Sequence, residues 1–541
     1  MNNSLFNFPT PANEPVFAYE KGSKERELIE KELKKIGSEE IEIPLIIGGK
    51  EVRTGKTAKV VCPHDHKHVL ATYHKATEKE VEQGIKAALE AKKQWMNMSW
   101  IDRSSIMLKA AELIAKRYRY VMNASTMLGQ SKTVFQAEID SACETIDFLR
   151  YNSAFASQIY SDQPLSTPDQ LNRMEYRPLE GFVFAVTPFN FTSIAANLNM
   201  SPILMGNTTV WKPATTSLLS NYYLMQVYKE AGIPDGVINF MPGPGSAIGA
   251  PVFGHRDFAG VHFTGSNSTF NNFWKTIANN MDNYKSYPKI VGETGGKDFI
   301  VAHNSANPLE VATAIVRGAF EFQGQKCSAA SRAYIPESMW KEVRKHIEDM
   351  VSKIKMGDVT DFSNFMNAVI DEASFDMIMG YVNDAKKSKE CEIVTGGNGD
   401  KSVGYFIEPT VIKTTNPNYA TMQVELFGPV ITIYVYPDKE FEKTLEIVDN
   451  TSPYGLTGAI FATDRYVVAK AFDALRYAAG NFYINDKPTG AMVGMQPFGG
   501  SRGSGTNDKA GSLLNLLRWV NPRAIKETYV PARDFTYPFM K

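Results

Sequence analysis

Four cysteines are spread over this 541-residue chain, at Cys62, Cys143, Cys327 and Cys391, and none forms a C-x-x-C pair. Such sparse use excludes a disulfide framework, so each thiol is judged singly. Cys327 lies in Phe320-Glu-Phe-Gln-Gly-Gln-Lys-Cys-Ser-Ala-Ala-Ser-Arg332. Gly324 and the small residues that follow leave room for a substrate, and Lys326 or the free N–H groups of a following helical turn would favour thiolate over thiol. On this stretch alone, a small buried hydrophobe is an equal alternative. Glu293 opens Glu293-Thr-Gly-Gly-Lys297. A carboxylate at a strand end, ahead of two glycines, has access to a cleft, and partial burial raises its pKa toward that of a general base; a surface glutamate is the plainer reading.

A metal is the other chemistry to weigh. Cys62-Pro-His-Asp-His-Lys-His68 places histidines two apart, which share one face of an extended strand. Third and fourth ligands are wanting, since His74 is the one nearby addition before His255. The segment therefore reads as a solvated loop entering a strand at Val69–Tyr73, with no metal.

Repeated strand, turn and helix from Gly181 onward position these groups. Apolar strands are expected at Phe182–Val186, Thr208–Trp211, Val237–Phe240, Ala259–Phe263 and Lys289–Gly292, joined by helices. That order implies a parallel sheet with ligands at the strand carboxyl ends. Gly243, Gly245 and Gly249 form G-x-G-x-x-x-G, one residue away from the standard dinucleotide fingerprint and weak by itself. Thr264-Gly265-Ser266 ahead of a helix is a better phosphate site, and Lys212 after a strand could reach ribose or phosphate.

A second α/β region follows Cys327, with strands expected at Ser331–Ile335, Glu425–Val430, Ile431–Val435, Leu456–Phe461 and Gly480–Ile484. The glycine-rich loop Asn485–Gly505 is long enough to line a site. Before all this come helices opened by Thr77 and Ser99, and a third over Lys132–Ser153. Gln158–Leu165 and Leu171–Arg177 read as the two strands of a protruding hairpin, a form that often serves assembly.

Bulk properties agree with a globular enzyme of two or three domains. Apolar residues make up 43% and charged residues 22%, and the net charge of -1 gives no electrostatic reason to expect nucleic acid or membrane as partner. The first residues lack signal-peptide and transit-peptide patterns, which with sparse cysteine predicts the cytoplasm.

With these residues in hand, the sequence resembles the NAD(P)-dependent aldehyde dehydrogenase superfamily over nearly its whole length. The motifs are Pro188-Phe-Asn190, Lys212-Pro213, Phe263-Thr-Gly-Ser266, Glu293-Thr-Gly-Gly-Lys297, Gly324-Gln-Lys-Cys327, Glu425-Leu-Phe-Gly-Pro429 and Pro497-Phe-Gly-Gly500. Within it, Pro188-Phe-Asn-Phe-Thr192, Gly324-Gln-Lys-Cys-Ser328, Tyr483-Ile-Asn-Asp-Lys487 and Ser504-Gly-Thr-Asn-Asp-Lys509 are similar to the branch that oxidises L-glutamate 5-semialdehyde, the open form of L-1-pyrroline-5-carboxylate.

The resemblance implies an α/β fold with a Rossmann-type NAD-binding domain over 1–150 and 178–294. A catalytic domain over 295–505 would carry the substrate-anchor loop, and an oligomerisation arm and tail would span 151–177 and 506–541. It implies that Cys327 attacks the aldehyde, that Asn190 and the Cys327 N–H hold the oxyanion, and that Glu293 activates water against the resulting thioester. Thr187, Lys212, Gly245, Gly265, Ser266, Asn267, Ser268 and Thr269 would contact NAD, with Glu425 and Phe427 at the nicotinamide end. Thr215 stands where many relatives carry an acidic residue, which leaves NADP open as a secondary cofactor.

For the substrate, the resemblance implies a carboxylate held by Ser328 and the N–H groups of Gly490 and Ala491. Relatives often have serine at the Ala491 position, so one anchoring hydroxyl is expected to be missing. Phe191 and Phe498 would flank the aliphatic part. The implied assembly is a dimer-based homo-oligomer, and the first oxidation of proline breakdown would come from a separate proline dehydrogenase. Oxidation of another semialdehyde such as succinate semialdehyde, acyl transfer through the thioester, and an inactive structural member are the competing readings.

Overall fold

The structure, a computed structural model, describes residues 8 and 10–541. Its first layer of organisation is a seven-stranded sheet in the order Lys289–Glu293, Phe258–Thr264, Phe182–Val186, Thr209–Lys212, Ile238–Phe240, Leu45–Ile47, Lys50–Val52. The first five strands are parallel, and the last two are joined by antiparallel pairings. Phe182–Val186 is buried along its whole length, as a central strand covered by helices on both faces must be. This is the Rossmann-type unit expected from the strand order.

A second seven-stranded sheet runs Cys391–Thr395, Thr410–Thr414, Val430–Tyr436, Ala330–Pro336, Asp298–Ala302, Thr457–Phe461, Asn481–Ile484. All but its first strand are parallel. Glu293 ends the first sheet and Asp298 begins a central strand of the second, so the Thr294–Lys297 stretch is the hinge between them. The strand expected from Glu425 starts only at Val430. Phe427 takes φ +53, a left-handed turn that no strand accommodates.

Helix starts follow their caps. The backbone N–H of Thr77 donates to Glu80 Oε2 (3.0 Å) at the head of Glu78–Trp95, and Ser99 Oγ accepts from the Asp102 N–H (3.1 Å) at the head of Trp100–Leu113. The third helix is longer than its pattern suggests. It runs from Val134 to Ser161 with a widened, π-type stretch at Glu138–Glu144. That stretch turns Asp140 inward, where it accepts the N–H groups of Thr192 (3.1 Å) and Ser193 (2.9 Å) and the ammonium of Lys132 (2.6 Å). A buried acid thus caps the helix Thr192–Leu204.

The expected hairpin is corrected. Residues 158–161 complete the long helix, because Ile159 is buried under it and Pro164 lies beyond its end. Gln170–Pro178 is a nine-residue strand, but its antiparallel partner is Val520–Thr528, with Gln170 opposite Thr528 and Pro178 opposite Val520. The 151–177 arm therefore begins after Ser161, and it projects as a ribbon with the C-terminal strand. The 506–541 tail is also divided: Leu516 and Trp519 are buried in the core of the first domain, together with Trp95 and Ile146. Among the described residues, no helix is long and apolar enough to cross a membrane.

Candidate active site

The loop that carries Cys327 is strained and firmly held. After the helix Pro308–Phe320, Phe322, Gln323 and Gly324 take φ of +50, +55 and +65 in succession. For the two residues with side chains such geometry costs about 1–3 kcal/mol each and persists only where the surroundings over-determine it. The Gln323 side chain does that, donating to Ser131 O (2.9 Å) and Ala368 O (2.8 Å) and accepting from Asn367 N–H (2.9 Å). Gln325 Oε1 accepts from Ile370 N–H (2.9 Å). Its carbonyl accepts from Asn190 Nδ2 (3.1 Å), which joins the first domain to the nucleophile loop.

Past Cys327 the chain enters the strand Ala330–Pro336, so the helical turn expected to favour thiolate is absent. Lys326 does not serve either, because its ammonium pairs with Glu321 Oε2 at 3.2 Å. Burial, and then the carboxyls of Glu293, Asp298 and Glu425, push the Cys327 thiol well above its ordinary pKa, opposed by the Ser328 N–H. These surroundings favour the thiol over the thiolate at Cys327.

Glu293 is brought to this thiol by the end of its strand. Burial pushes its carboxyl up to about 8; the Lys509 ammonium and the Gly500 N–H work against that shift, and Asp508 adds to it. A side chain at Gly296 would place its Cβ 2.6 Å from the Cys327 carbonyl, so the glycine permits the two segments to meet. The Gly296 N–H donates to Glu425 Oε1 (3.0 Å). Burial raises Glu425 to about 7 against that N–H and Lys297, and lowers Lys297 to about 7 with help from Arg332.

Cys327, Glu293, Ser328, Phe191, Gly490, Ala491 and Phe498 line one cavity of about 400 Å³. These residues lie in four segments of the sequence, and the fold brings all of them together. Asn190 is buried behind that wall, with one amide N–H engaged by Gln325. Phe191 is fixed by the perpendicular ring of Phe322 (6.5 Å between centroids) and by the Lys132 ammonium 4.2 Å from its own centroid. Ser328 Oγ donates to Thr489 Oγ1 (2.8 Å). Sequence reasoning passed over Thr489, although it is a hydroxyl residue in the anchor loop, two positions before Ala491.

The expected cofactor residues share the carboxyl edge of the first sheet. Thr187 follows the strand Phe182–Val186, and its hydroxyl accepts from Trp211 Nε1 (3.0 Å). Lys212 ends the adjacent strand with no ion-pair partner among the described residues, and burial lowers its pKa. Gly245 starts the helix Gly245–Phe253 with open space where a Cβ would stand. Gly265 leads into the helix Asn267–Asn279, capped by Ser266, whose Oγ accepts from Thr269 N–H (3.3 Å). Ser268 Oγ lies 3.2 Å from Ser266 Oγ, and Asn267 Nδ2 donates to Gly503 O (2.7 Å). A half-buried ammonium with no ion-pair partner among the described residues, on the same sheet edge as two helix starts and an uncluttered glycine, fits a dinucleotide. Glu425 and Phe427 lie at the far end, where Phe427 packs perpendicular to Phe189 at 5.7 Å.

The suspected metal segment is dispersed. Cys62 is buried, His64 Nδ1 bonds Ser131 Oγ (3.2 Å), His66 Nε2 reaches Lys401 O (3.1 Å) and His68 Nε2 reaches Gly37 O (2.8 Å).

Comparison with known proteins agrees with this geometry. The aldehyde dehydrogenase family model matches residues 51–524. The mitochondrial delta-1-pyrroline-5-carboxylate dehydrogenase of Dictyostelium discoideum is 52% identical over 537 residues, covering 99% of this chain and 96% of that protein. The corresponding mitochondrial enzyme of Homo sapiens is 45% identical over 531 residues, covering 98% and 94%. A crystal structure of the delta-pyrroline-5-carboxylate dehydrogenase from Mycobacterium tuberculosis bound with NAD superposes with a TM-score of 0.97 at 48% identity, covering 100% of both chains. With a family match across most of its length, the chain belongs to the aldehyde dehydrogenase family.

Proposed function

We propose that the protein oxidises L-glutamate 5-semialdehyde, formed when L-1-pyrroline-5-carboxylate opens in water, to L-glutamate with NAD, the second oxidation of proline breakdown. The observation that carries this reading is the single cavity joining Cys327 and Glu293 to Ser328, Thr489 and the Gly490 turn. One end can do thioester chemistry and the other can hold a carboxylate. Relatives similar over the full length are delta-1-pyrroline-5-carboxylate dehydrogenases.

The Cys327 sulfur attacks the aldehyde carbon as its proton is lost to solvent. The developing oxyanion is met by the Cys327 N–H and by Asn190. NAD, when bound, would supply the hydride acceptor, and Lys212, the Gly265–Thr269 turn and Glu425 would hold it. Once the thiohemiacetal carbon has lost its hydride, Cys327 bears a thioester. Glu293, in its ionised form, takes a proton from water as that water attacks and returns it to the Cys327 sulfur as L-glutamate leaves. Sulfur suits both halves because it is a good nucleophile and a good leaving group.

We also propose that the ribbon of Gln170–Pro178 and Val520–Thr528 joins copies of the chain into a homo-oligomer. Every residue of it except Val520 is half-buried or exposed, and Leu165 beside it is 92% exposed.

Initial rates with L-1-pyrroline-5-carboxylate, succinate semialdehyde and simple aliphatic aldehydes, each with NAD and NADP, test the assignment. The highest kcat/KM should belong to pyrroline-5-carboxylate with NAD. A preference for succinate semialdehyde would move the substrate assignment to the competing reading.

A further inference from the structure

The turn at 505–509 is unusually constrained. Gly505, Asn507 and Lys509 take φ of +128, +55 and +51, and the turn is sewn to the strand of Glu293 on both sides. Glu293 bridges Gly505, Thr506 N–H donates to Gly292 O (2.9 Å), and Gly292 N–H donates to Thr506 Oγ1 (3.0 Å). Left-handed geometry at residues with side chains marks a position that its surroundings hold in place.

That geometry places two opposite charges in the wall of the cavity that Glu293 also lines. The Lys509 ammonium donates to Gly480 O (2.8 Å), Gly499 O (2.8 Å) and Asn481 Oδ1 (3.3 Å), so its three protons have three oxygen acceptors and the charge is fixed in space. No carboxylate pairs directly with it among the described residues, and Glu293 is the acid whose field it feels. Asp508, next in the chain, accepts from Thr506 Oγ1 (2.5 Å) and meets Arg518 Nε at 3.3 Å. The groups that bear on Glu293 are thus Lys509 and Asp508 from this turn, the Gly500 N–H from the preceding loop, and the Cys327 thiol from the nucleophile loop.

We propose that Lys509 is a positioning residue for the base: its fixed positive charge, balanced by Asp508, sets how readily Glu293 gives up its proton between acyl formation and hydrolysis. This rests on Glu293 acting as the base. Without the ammonium, burial and Asp508 would act on the carboxyl with only the Gly500 N–H against them. Glu293 would stay protonated to higher pH, and hydrolysis of the Cys327 thioester would lag behind its formation.

The test uses the full-length protein with NAD and pyrroline-5-carboxylate, following kcat across mildly acidic to alkaline pH. Lys509→Met should move the acid limb alkaline by about one pH unit, a roughly tenfold loss of rate on that limb, while the first-turnover burst of NADH is kept. Lys509→Arg should restore the limb toward its original position. Asp508→Asn should move it the other way, which a merely structural role of the turn does not predict. Unmoved limbs in Lys509→Met and Asp508→Asn, or shifts of the same sign, would overturn the proposal; if Lys509→Met does not fold, Asp508→Asn alone decides. Glu293→Gln separates the two claims. If the acid limb survives in that variant, Glu293 is not the base, and the failure belongs to the mechanism rather than to Lys509.

Discussion

Ser328 donates its hydroxyl proton to Thr489 Oγ1 across 2.8 Å, tying the residue after the nucleophile to the anchor loop. Ala491 cannot supply a hydroxyl, but Thr489, two positions earlier, places one against Ser328. The carboxylate end of the cavity therefore holds a hydroxyl pair beside the Gly490 turn. Ser328→Ala should raise KM for pyrroline-5-carboxylate about tenfold or more, the scale of one lost hydrogen bond to a charged group, while simple aliphatic aldehydes are nearly unaffected. Thr489→Val should act in the same direction and less strongly. Equal losses with both substrate types would remove Ser328 from carboxylate recognition.

On the proposed mechanism, Asn190→Ala removes one oxyanion donor. Loss of such a donor costs about 3–4 kcal/mol of transition-state stabilisation, a drop in kcat of roughly a hundred- to a thousandfold. The same amide braces Gln325, so thermal unfolding of the variant should be measured beside its kinetics. A kcat close to that of the parent would place the oxyanion elsewhere.

The resting thiol makes a prediction about pH. Because Cys327 is held protonated by burial and by the carboxyls around it, alkylation of the cofactor-free enzyme by iodoacetamide should be slow at neutral pH. It should keep rising with pH beyond the range of an ordinary cysteine, without a neutral plateau. A plateau near neutrality would show a preformed thiolate and a positive partner that the structure does not contain.

Stability rests in part on a buried pair beneath the substrate cavity. Lys132 and Asp140 meet at 2.6 Å with no exposure of either side chain. Asp140 also caps the helix behind Asn190. Lys132→Met leaves that acid without its cation, and breaking a buried pair in this way costs about 3–5 kcal/mol. Chemical denaturation should show a loss of that size. An unchanged midpoint would mean that the two backbone N–H groups suffice.

Much of this was legible in the sequence. The apolar runs at Phe182–Val186 and Lys289–Gly292 announced buried parallel strands, and the Cys327, Glu293 and Asn190 motifs pointed to groups that the fold brings to one place. What failed depended on long-range pairing. Leu171–Arg177 looks like a strand on its own, but nothing local says that its partner lies some 350 positions away at Val520–Thr528. Lys326 beside the thiol suggested activation, and only the folded loop reveals that Glu321 takes its charge. Thr489 and Lys509 stood in plain view within glycine-rich stretches, but their roles follow from which side chains the turns bring opposite them.

The central claim is that Cys327 carries an acyl group which Glu293 alone hydrolyses. Glu293→Gln mixed with NAD and pyrroline-5-carboxylate, followed by NADH absorbance and intact-protein mass, tests it most directly. The account predicts one NADH per subunit in a rapid burst, no continued turnover, and a glutamyl group on Cys327 that Cys327→Ala abolishes. Sustained turnover in Glu293→Gln, or a burst that leaves no mass on Cys327, would contradict it.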